Sequence, residues 1–420
     1  MTTAPTDRSI DDIDLGSLNF WARPHKERLA AFARLRRIEE PMYFGEPRVP
    51  GLRSGRGFYA IVRHKEVTEA LRNPEVFSSY PSVSIPPPPP WAKYIFGNSM
   101  VNLDDPQHGR LRRIIARAFT PRMLNKMEED VTASANRIID RVIAHGPGGD
   151  FISMVANPLA AGVICDMVGV PEKHRSLVID RVHTWADYTG VRPGFLSSVR
   201  LGVKNTRGML GLRSMFVELG KERRRKPADD LISSLVNANI DGERLTNMEL
   251  GAFCTLLVTA GINTASNGMA HGLRLLTEHP EQRELLLSDF ARHMPTAIEE
   301  IVRYVTPGMR TGRTITREHE VCGQRLLPGD KVVLYFLSAN RDETVFADPD
   351  TFDITRDPNP HVGFGAPGIH FCLGANLVRK EMTVIFRELF DRLPGIRAVG
   401  EPRQLLSNFE NGLTELRFEF

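Results

Sequence analysis

One cysteine of this chain stands in a setting that suits metal chemistry. Cys372 lies in the segment 364–374, which reads FGAPGIHFCLG, and apolar residues recur at helical spacing from Leu373 to Phe390. The unpaired N–H groups at a helix start lower the pKa of a thiol and favour the thiolate, the form that binds metals. An isolated free cysteine is more often a small core residue. The neighbouring glycines and His370 nevertheless favour Cys372 as the ligand of a haem iron.

Three glycines of this segment, Gly365, Gly368 and Gly374, let the backbone pass close to a flat macrocycle without Cβ clashes. A dinucleotide pattern, G-x-G-x-x-G, begins in the same place at Gly363. That pattern requires a preceding strand and a helix that opens on its third glycine. Here the turn-rich segment 357–361 precedes it and a proline lies inside it. The sequence therefore disfavours a dinucleotide site.

A second candidate segment, AGINT at 260–264, lies within the long apolar stretch 246–276 that we predict to be helical. Gly261 in mid-helix costs about 1 kcal/mol relative to alanine. Thr264 can donate back to the carbonyl four residues earlier and loosen the turn. These residues predict a notch where a small molecule can lie against the backbone, although a slightly imperfect core helix would carry the same pattern.

Both segments resemble the cytochrome P450 family. The haem-ligand loop of that family follows the pattern Phe-Gly-x-Gly-x-His/Arg-x-Cys-x-Gly, which Gly368, His370, Cys372 and Gly374 match. Phe364 and the glycine after it lie one residue too far upstream, so this loop carries one extra residue. The resemblance implies that Cys372 is the axial ligand of heme b, and that Phe364 and Gly374 lie against the cofactor.

The segment 260–264 resembles the oxygen-binding pattern Ala-Gly-x-Asp/Glu-Thr of the family, except that Asn263 occupies the position of the acid. The resemblance assigns catalytic roles to Thr264 and Asn263 and places Ala260 beside both cofactor and substrate. An amide cannot titrate as a carboxylic acid does. Protons must therefore come through water held by Asn263 and Thr264 or from another acid, and we expect slower or less coupled turnover than in an Asn263→Asp variant.

The resemblance also proposes roles for residues elsewhere in the chain. Glu300 and Arg303, three apart on a predicted helix, match with Arg356 a structural network on the proximal side of the haem. The candidates for binding the two haem carboxylates are His108, Arg112, Arg313 and His370. The proposed pocket walls are Ile85, Trp91, Phe96, Leu256, Ala260, Met309 and Phe409, whose apolar character suits a lipid or terpenoid.

The elements that must position these residues are mostly helical. We expect a mainly α fold, a cytochrome P450 fold, with a large helical part and a small β-rich part. A single domain would span 1–420, with the β-rich part at about 41–64, 308–336 and 403–420. Helical patterns cover 25–38, 65–71, 107–119, 121–144, 157–168, 171–188, 212–225, 246–276, 280–288 and 295–305. Strand patterns cover 57–62 and 413–420, and 320–322 could pair with 331–336 around the turn 327–330.

Five consecutive prolines, Pro86 to Pro90, predict a stiff, extended segment. Apolar bulk surrounds this run, including Ile85 and Trp91. We therefore interpret it as a rigid loop over a pocket rather than as a surface linker or a partner-docking motif.

Composition, charge and cysteine spacing limit the classes of protein to which this chain can belong. The chain has 420 residues, of which 41% are hydrophobic and 25% charged, and its net charge of +3 gives no argument for nucleic-acid binding. No run of about 18 apolar residues occurs, so no membrane-spanning helix is expected. The N-terminal segment 1–16 lacks the order of a secretion signal. The four cysteines form no C-x-x-C pair, which disfavours zinc, iron–sulfur clusters and disulfides and points to a reducing cytoplasm.

No flavin or iron–sulfur motif lies in the chain, so reducing power must arrive from a partner, which the resemblance identifies as a ferredoxin with its ferredoxin reductase. Arg110, Arg113, Arg117 and Arg122 form a basic patch that could attract such an acidic carrier. The alternative is an ordinary solvated helix face.

The resemblance runs from about residue 18 to the C-terminus. It is strongest to soluble actinobacterial members, and among them to the mycobacterial group that ω-hydroxylates methyl-branched lipids, isoprenoids and sterol side chains. The segments that carry it are 77–81, 103–106, 338–342 and 370–376. We therefore expect a haem-thiolate monooxygenase that uses O2 to hydroxylate a small apolar substrate. A haem-thiolate isomerase or dehydratase that needs no electrons, and a non-catalytic haem or lipid carrier, remain open alternatives.

Overall fold

The computed structural model describes residues 10–46, 55–86, 99–118, 121–189, 195–239 and 242–420. Helices account for most of these residues, which confirms the mainly α fold class. The α-helices are α1 (Leu18–Trp21), α2 (His25–Arg36), α3 (His64–Arg72), α4 (Gln107–Ala118), α5 (Pro121–His145), α6 (Asn157–Val168), α7 (Glu172–Thr189), α8 (Phe195–Arg225), α9 (Leu231–Asn237), α10 (Asn247–Glu278), α11 (Pro280–Ser288), α12 (Phe290–Val305), α13 (Phe336–Ala339) and α14 (Ala375–Arg392).

The helix α10, hereafter the central helix, runs through the largest hydrophobic core. It begins with a capping box, in which the Glu249 N–H donates to Thr246 Oγ1 (3.2 Å) and the Thr246 N–H donates to Glu249 Oε2 (2.8 Å). It ends at Glu278, before the proline that opens α11, and packs most extensively against α8 and α6. By length and composition the central helix could cross a membrane, but 56% of its apolar window is buried inside the protein, as in a core helix.

Short strands form the smaller part of the fold. They are β1 (Met42–Phe44), β2 (Phe58–Ile61), β3 (Phe77–Ser78), β4 (Arg310–Ile315), β5 (His319–Val321), β6 (Gln324–Leu326), β7 (Lys331–Tyr335), β8 (Arg397–Ala398), β9 (Arg403–Gln404), β10 (Leu413–Glu415) and β11 (Phe418–Glu419). The largest sheet has the order β1-β2-β7-β4-β3, in which β2 and β7 are parallel and the other pairs antiparallel. An aromatic cluster that includes Trp21, Phe32 and Tyr335 packs against this sheet.

The predicted hairpin of 320–322 with 331–336 is wrong. Instead β5 pairs with β6 across a two-residue turn, in which Cys322 (φ 47°) and Gly323 (φ 83°) both adopt the left-handed region. Such a turn matches the twist of the paired strands. This turn was not predicted from the sequence, because a cysteine is an unusual residue at a positive φ. Strand β7 joins the large sheet, where it lies between β2 and β4.

Two helices begin earlier than their patterns predict. Helix α8 begins at Phe195 rather than at residue 212, through a region whose glycines lower helix propensity. Gly208 shows the reason, since a Cβ there would lie 2.7 Å from Cδ of Arg181 on α7. Close packing of α7 on α8 thus outweighs local propensity. Helix α12 begins at Phe290 rather than at residue 295, because Asp289 caps it by accepting from the N–H of Arg292 (3.2 Å).

Candidate functional site

The loop 363–374, hereafter the ligand loop, folds back on itself just before α14. Gly365 turns the chain with a φ of 74°, which favours glycine. The Cys372 N–H donates to the carbonyl of Phe364 (2.8 Å), and Gly374 is the N-cap residue of α14. These contacts hold the thiol of Cys372 at the start of a long helix, as the sequence predicts.

The Cys372 side chain is accessible, although protein atoms surround it on most sides. Burial raises the pKa of the Cys372 thiol, whereas the N–H groups of Gly374 and Ala375 and the charges of Arg112 and Arg379 lower it. The net direction of the shift is upward, so the pKa of the thiol is not lowered overall as the sequence predicts. The helix start acts as expected, but desolvation of the thiolate outweighs it.

Four cationic or titratable side chains meet beside the ligand loop. The rings of His108 and His370 lie 4.2 Å apart, and Nη2 of Arg112 donates to the carbonyl of Phe371 (2.8 Å). Burial, together with the charges of Arg313, His108 and Arg112, lowers the pKa of His370 to about 3. The sequence predicted all four of these side chains, which come from α4, β4 and the ligand loop.

This cluster lacks enough negative partners of its own. His108 is only 1% exposed, and neither of its ring nitrogens has a well-formed hydrogen bond among the described residues. Asp105 approaches Nδ1 of His108 at 3.5 Å, and Ser79 Oγ lies 3.0 Å from Nε2 of His370. The two cations of the cluster, the buried Arg313 and the half-buried Arg112, have few anions beside them and fit a ligand that brings carboxylates of its own. The residues present therefore suit the two carboxylates of a haem.

Most of the central helix is buried, but one of its faces is accessible. Ala260 is exposed and Leu256 and Thr264 are half-buried, and these residues are spaced four apart. The hydroxyl of Thr264 donates to the carbonyl of Ala260 (2.7 Å), as predicted. The helix nevertheless continues unbroken through this region to Glu278.

Glycines bring the central helix close to α14. A Cβ on Gly272 would lie 2.6 Å from Cζ of Phe386, and a Cβ on Gly268 would lie 3.6 Å from Sδ of Met382. Because α14 begins just after Cys372, this crossing fixes the helix that follows the thiol against the helix that carries Thr264.

Asn263 does not share the accessible face of Thr264. It is buried, and its amide lies against Glu410 in the C-terminal part of the chain. Sequence patterns gave no signal for this contact, because Glu410 lies in no recognisable motif.

The proposed pocket walls come from several elements. Ile85 and Met309 are both buried in the hydrophobic cluster beside the large sheet. The Met309 N–H donates to the carbonyl of Phe409 (2.9 Å), so these two segments are adjacent. Trp91 and Phe96 lie outside the described residues.

The predicted ion network of Glu300, Arg303 and Arg356 is present and buried. Arg303 and Glu300 are both 0% exposed, and two parallel bonds of 2.7 and 2.8 Å join them. Nε of Arg356 lies 3.3 Å from the Glu300 carboxylate. Asn359 donates to the same carboxylate (3.1 Å). Each acceptor of this buried charge is therefore used, which a buried ion pair requires.

A second network escaped the sequence patterns. The guanidinium of Arg379 donates to Glu299 (2.6 and 3.0 Å), and Nε2 of His361 lies 3.0 Å from the same carboxylate. Burial raises the pKa of Glu299, but the bonds from His361 and Arg379 outweigh it and lower the pKa to about 2. Arg379 also stacks over the ring of Phe364 at 4.7 Å. This network stabilises the ligand loop through Phe364. The sequence patterns identified the neighbouring Glu300 but not Glu299, Arg379 or His361.

The proposed basic patch is smaller than the sequence indicates. Nη1 of Arg110 is bound to Glu249 (2.7 Å), so this cation is already paired. Arg113 and Arg117 are exposed on α4, and the side chain of Arg122 lies outside the described part.

Metal-binding groups of other kinds do not occur in the described residues, where no group of three or more His, Cys, Asp or Glu side chains could hold a metal ion. The remaining cysteines, Cys165, Cys254 and Cys322, are free thiols.

Comparison with known proteins agrees with this geometry. The family model for Cytochrome P450 matches residues 173–393. The chain is 43% identical over 419 residues to a methyl-branched lipid omega-hydroxylase of Mycobacterium tuberculosis, covering 99% of this chain and 96% of that protein. It is 34% identical over 431 residues to a steroid C26-monooxygenase of Mycolicibacterium smegmatis, covering 99% and 95% of the two chains.

A solved structure is similar over the same length. A Mycobacterium marinum cytochrome P450 in complex with pseudoionone superposes with a TM-score of 0.90 at 35% identity, covering 99% of this chain and 100% of that one. A full-length match at this identity, together with a cysteine in the ligand loop and a cationic cluster beside it, leads to one conclusion. This chain belongs to the cytochrome P450 family of haem-thiolate monooxygenases.

Proposed function

We propose that this protein uses O2 to hydroxylate a terminal methyl group of a small apolar substrate, namely a methyl-branched lipid, an isoprenoid or a sterol side chain. The observation that carries this proposal is the 43% identity, over nearly the whole chain, to a methyl-branched lipid omega-hydroxylase. The steroid C26-monooxygenase among the relatives supports a sterol side chain as a second substrate class.

The cofactor of this proposal is heme b, with Cys372 as its axial ligand. His108, Arg112, Arg313 and His370 would bind its carboxylates, which supply the negative charge that this cluster lacks. Phe364, Gly374 and Ala260 would lie against the macrocycle, and a Cβ on Gly374 would meet no atom within 4 Å. When bound, the haem supplies the activation of O2 that an unactivated C–H bond requires.

The chain's own residues then bind the substrate and manage protons. Apolar walls exclude water from the reacting carbon and favour a lipid over a polar compound, at about 25 cal/mol per Å² of apolar surface buried. The walls are Ile85, Trp91, Phe96, Leu256, Ala260, Met309 and Phe409. Thr264 holds a proton at Oγ1, which its bond to the Ala260 carbonyl orients along the accessible face of the helix.

Electrons would come from a ferredoxin and its reductase in the cytoplasm, with residues 1–420 acting as one domain. Arg113 and Arg117 on α4 are the exposed cations that support docking of an acidic carrier. Arg112 on the same helix donates to the loop that carries Cys372, so the patch adjoins the proposed proximal side.

The experiment is product analysis with purified holoprotein, a ferredoxin, its reductase and a panel that includes phytanic-type acids and farnesol. We expect oxidation at a terminal methyl group, identified by mass spectrometry. Oxidation at internal carbons alone would contradict the proposed regiochemistry. Tight binding without any product would contradict the proposed hydroxylation and favour a non-catalytic carrier.

A further inference from the structure

Proton supply is the part of the reaction that the central helix alone does not explain. Inserting one atom of O2 into a C–H bond and releasing the other as water consumes two protons and two electrons. The electrons come from the external reductant of the monooxygenase reaction. Asn263 stands where a carboxylic acid could pass on protons, but an amide does not titrate. One of the two routes left open by the sequence is an acid from another part of the chain.

One loop lies along the relevant side of the central helix. Residues 405–412, hereafter the C-terminal loop, face Asn263, Asn267 and His271, which are spaced four apart on one helix face. The Leu413 N–H donates to Oδ1 of Asn267 (3.2 Å). A Cβ on Gly412 would lie 2.6 Å from Nδ2 of Asn267, so the loop backbone touches the helix.

The same loop is fixed firmly on its other side. The N–H of Asn411 donates to the carbonyl of Pro307 (2.9 Å), and its side-chain amide donates to the carbonyl of Val305 (2.5 Å). The N–H of Glu410 donates to Oγ of Ser407 (3.0 Å). These bonds hold the Glu410 side chain at the level of Asn263.

Glu410 and Asn263 are buried polar side chains, and each has one atom that is left without a well-formed hydrogen bond. Glu410 is 5% exposed and Asn263 8%, and neither Oε2 of Glu410 nor Nδ2 of Asn263 has a well-formed hydrogen bond among the described residues. The two side chains are close enough for Asn263 to act on the carboxyl. A buried carboxyl with a free oxygen beside a buried amide is costly unless it serves a purpose.

Burial raises the pKa of Glu410 to about 7, although contact with Asn263 lowers it in part. No charged side chain of the described residues contributes to this shift, and the other titratable group on this helix face, His271, has its pKa lowered by burial. A carboxyl with a pKa close to neutral can both hold and release a proton under working conditions.

We propose that Glu410 is the acid that delivers protons to the site, in place of the acid missing from the central helix. The Glu410 carboxyl releases its proton to hydrogen-bonded water beside Asn263, from which it passes along water to the accessible helix face that carries Thr264. The resulting carboxylate takes up a proton from solvent through the half-exposed end of the C-terminal loop, at Asn408 and Phe409. Glu410 thus supplies protons through water beside Asn263 and does not touch the reacting atoms.

A second buried acid, Glu381 on α14, is the competing candidate. It is 2% exposed, and burial alone raises its pKa to about 8. No contact joins it to Asn263 among the described residues, so the geometry favours Glu410.

The test compares Glu410→Gln with the wild-type holoenzyme, and uses Glu401→Gln as a control on an exposed acid of the same C-terminal region. We expect Glu410→Gln to lower kcat on the order of 10²-fold, the lower end of what general acid catalysis contributes, while reductant is consumed without product. Adding Asn263→Asp to Glu410→Gln should restore product per reductant, because it returns an acid to the helix. A merely structural role for Glu410 would not be rescued in this way.

A readout independent of turnover is the infrared band of the protonated carboxyl in the holoenzyme. We expect a band that titrates near pH 7 and disappears in Glu410→Gln. Its persistence in that variant would overturn the proposal, as would unchanged coupling. Weaker substrate binding with unchanged coupling would instead make Glu410 a substrate anchor. Loss of coupling in Glu381→Gln but not in Glu410→Gln would assign the role to the other acid.

Discussion

At the scale of single residues, the site is governed by how burial changes charge. Burial raises the pKa of the Cys372 thiol and lowers that of His370, so the protein alone disfavours both the thiolate and the imidazolium. A cofactor that brings a metal ion and two carboxylates would reverse both tendencies.

The first prediction concerns the proposed axial ligand. Cys372→Ala should lose the thiolate-type absorption of the ferrous–carbonyl complex and all hydroxylation, because Cys372 is the one cysteine of the ligand loop. Cys322→Ala is the control, since Cys322 is an exposed thiol in the β5–β6 turn. If Cys372→Ala keeps the wild-type spectrum and product yield, the assignment of the ligand is wrong.

The second prediction concerns the missing acid. Asn263→Asp places a titratable group one residue before Thr264, and should raise product formed per reductant consumed. The expected gain is about two- to tenfold, smaller than a full general-acid effect because Glu410 already supplies protons. The measurement is product and reductant quantified in the same reaction. Equal rate and equal coupling in the two proteins would show that the amide does not limit turnover.

At the scale of elements, the crossing of the central helix and α14 sets the distance between the two halves of the site. Gly272 makes this crossing possible, because its missing side chain leaves room for the ring of Phe386. The ligand loop is held from α14 as well, because Arg379 contacts both the ring of Phe364 and the carboxylate of Glu299.

The third prediction tests this crossing. Gly272→Ala should lower the free energy of unfolding by about 1–3 kcal/mol, because its Cβ would lie 2.6 Å from Phe386 and force the helices apart. Gly211→Ala on the exposed face of α8 is the matched control. Its Cβ would meet nothing, so it should stabilise by about 0.5–1 kcal/mol. Denaturant unfolding of both variants checks the contrast, and equal effects would refute it.

At the scale of the whole molecule, ion networks tie distant parts of the chain together. Glu299 and Glu300 on α12 hold the ligand loop, α14 and the segment before the loop through separate networks. The large sheet likewise joins β2 from the N-terminal part to β7 from the C-terminal part. Acid should therefore loosen the site by breaking long-range links rather than by melting one helix.

The fourth prediction concerns acid stability. The pKa of Glu299 is lowered to about 2 in the folded protein, so its network contributes stability that is present above the unfolded value near 4.5 and is lost as pH falls toward 2. Glu299→Gln should remove about 1–2 kcal/mol at neutral pH, after allowance for partial solvent screening, and flatten the acid limb of a stability profile. Glu318→Gln breaks a fully exposed ion pair with Arg325 and should change stability little. The opposite ranking of these variants in thermal unfolding across pH would contradict this account.

The amino-acid sequence by itself determined the local features of this protein. The spacing of apolar residues predicted α6 and α11 to the residue, since those helices depend mainly on local periodicity and on a proline at the start. The ligand loop and the segment 260–264 were equally readable, because their chemistry depends on residues that are close together in the chain. The cationic cluster was predicted residue by residue from the resemblance.

Only the tertiary structure decided the pairings between distant segments. The parallel pairing of β2 with β7, the early start of α8 against α7, and the contact of Glu410 with Asn263 all join parts of the chain that no local pattern relates. The tertiary structure also decided the direction of the pKa shift of Cys372, since desolvation of the thiolate depends on everything packed around it. Local spacing fixes which groups a helix or loop presents, whereas burial and long-range packing fix which groups meet and what charge they carry.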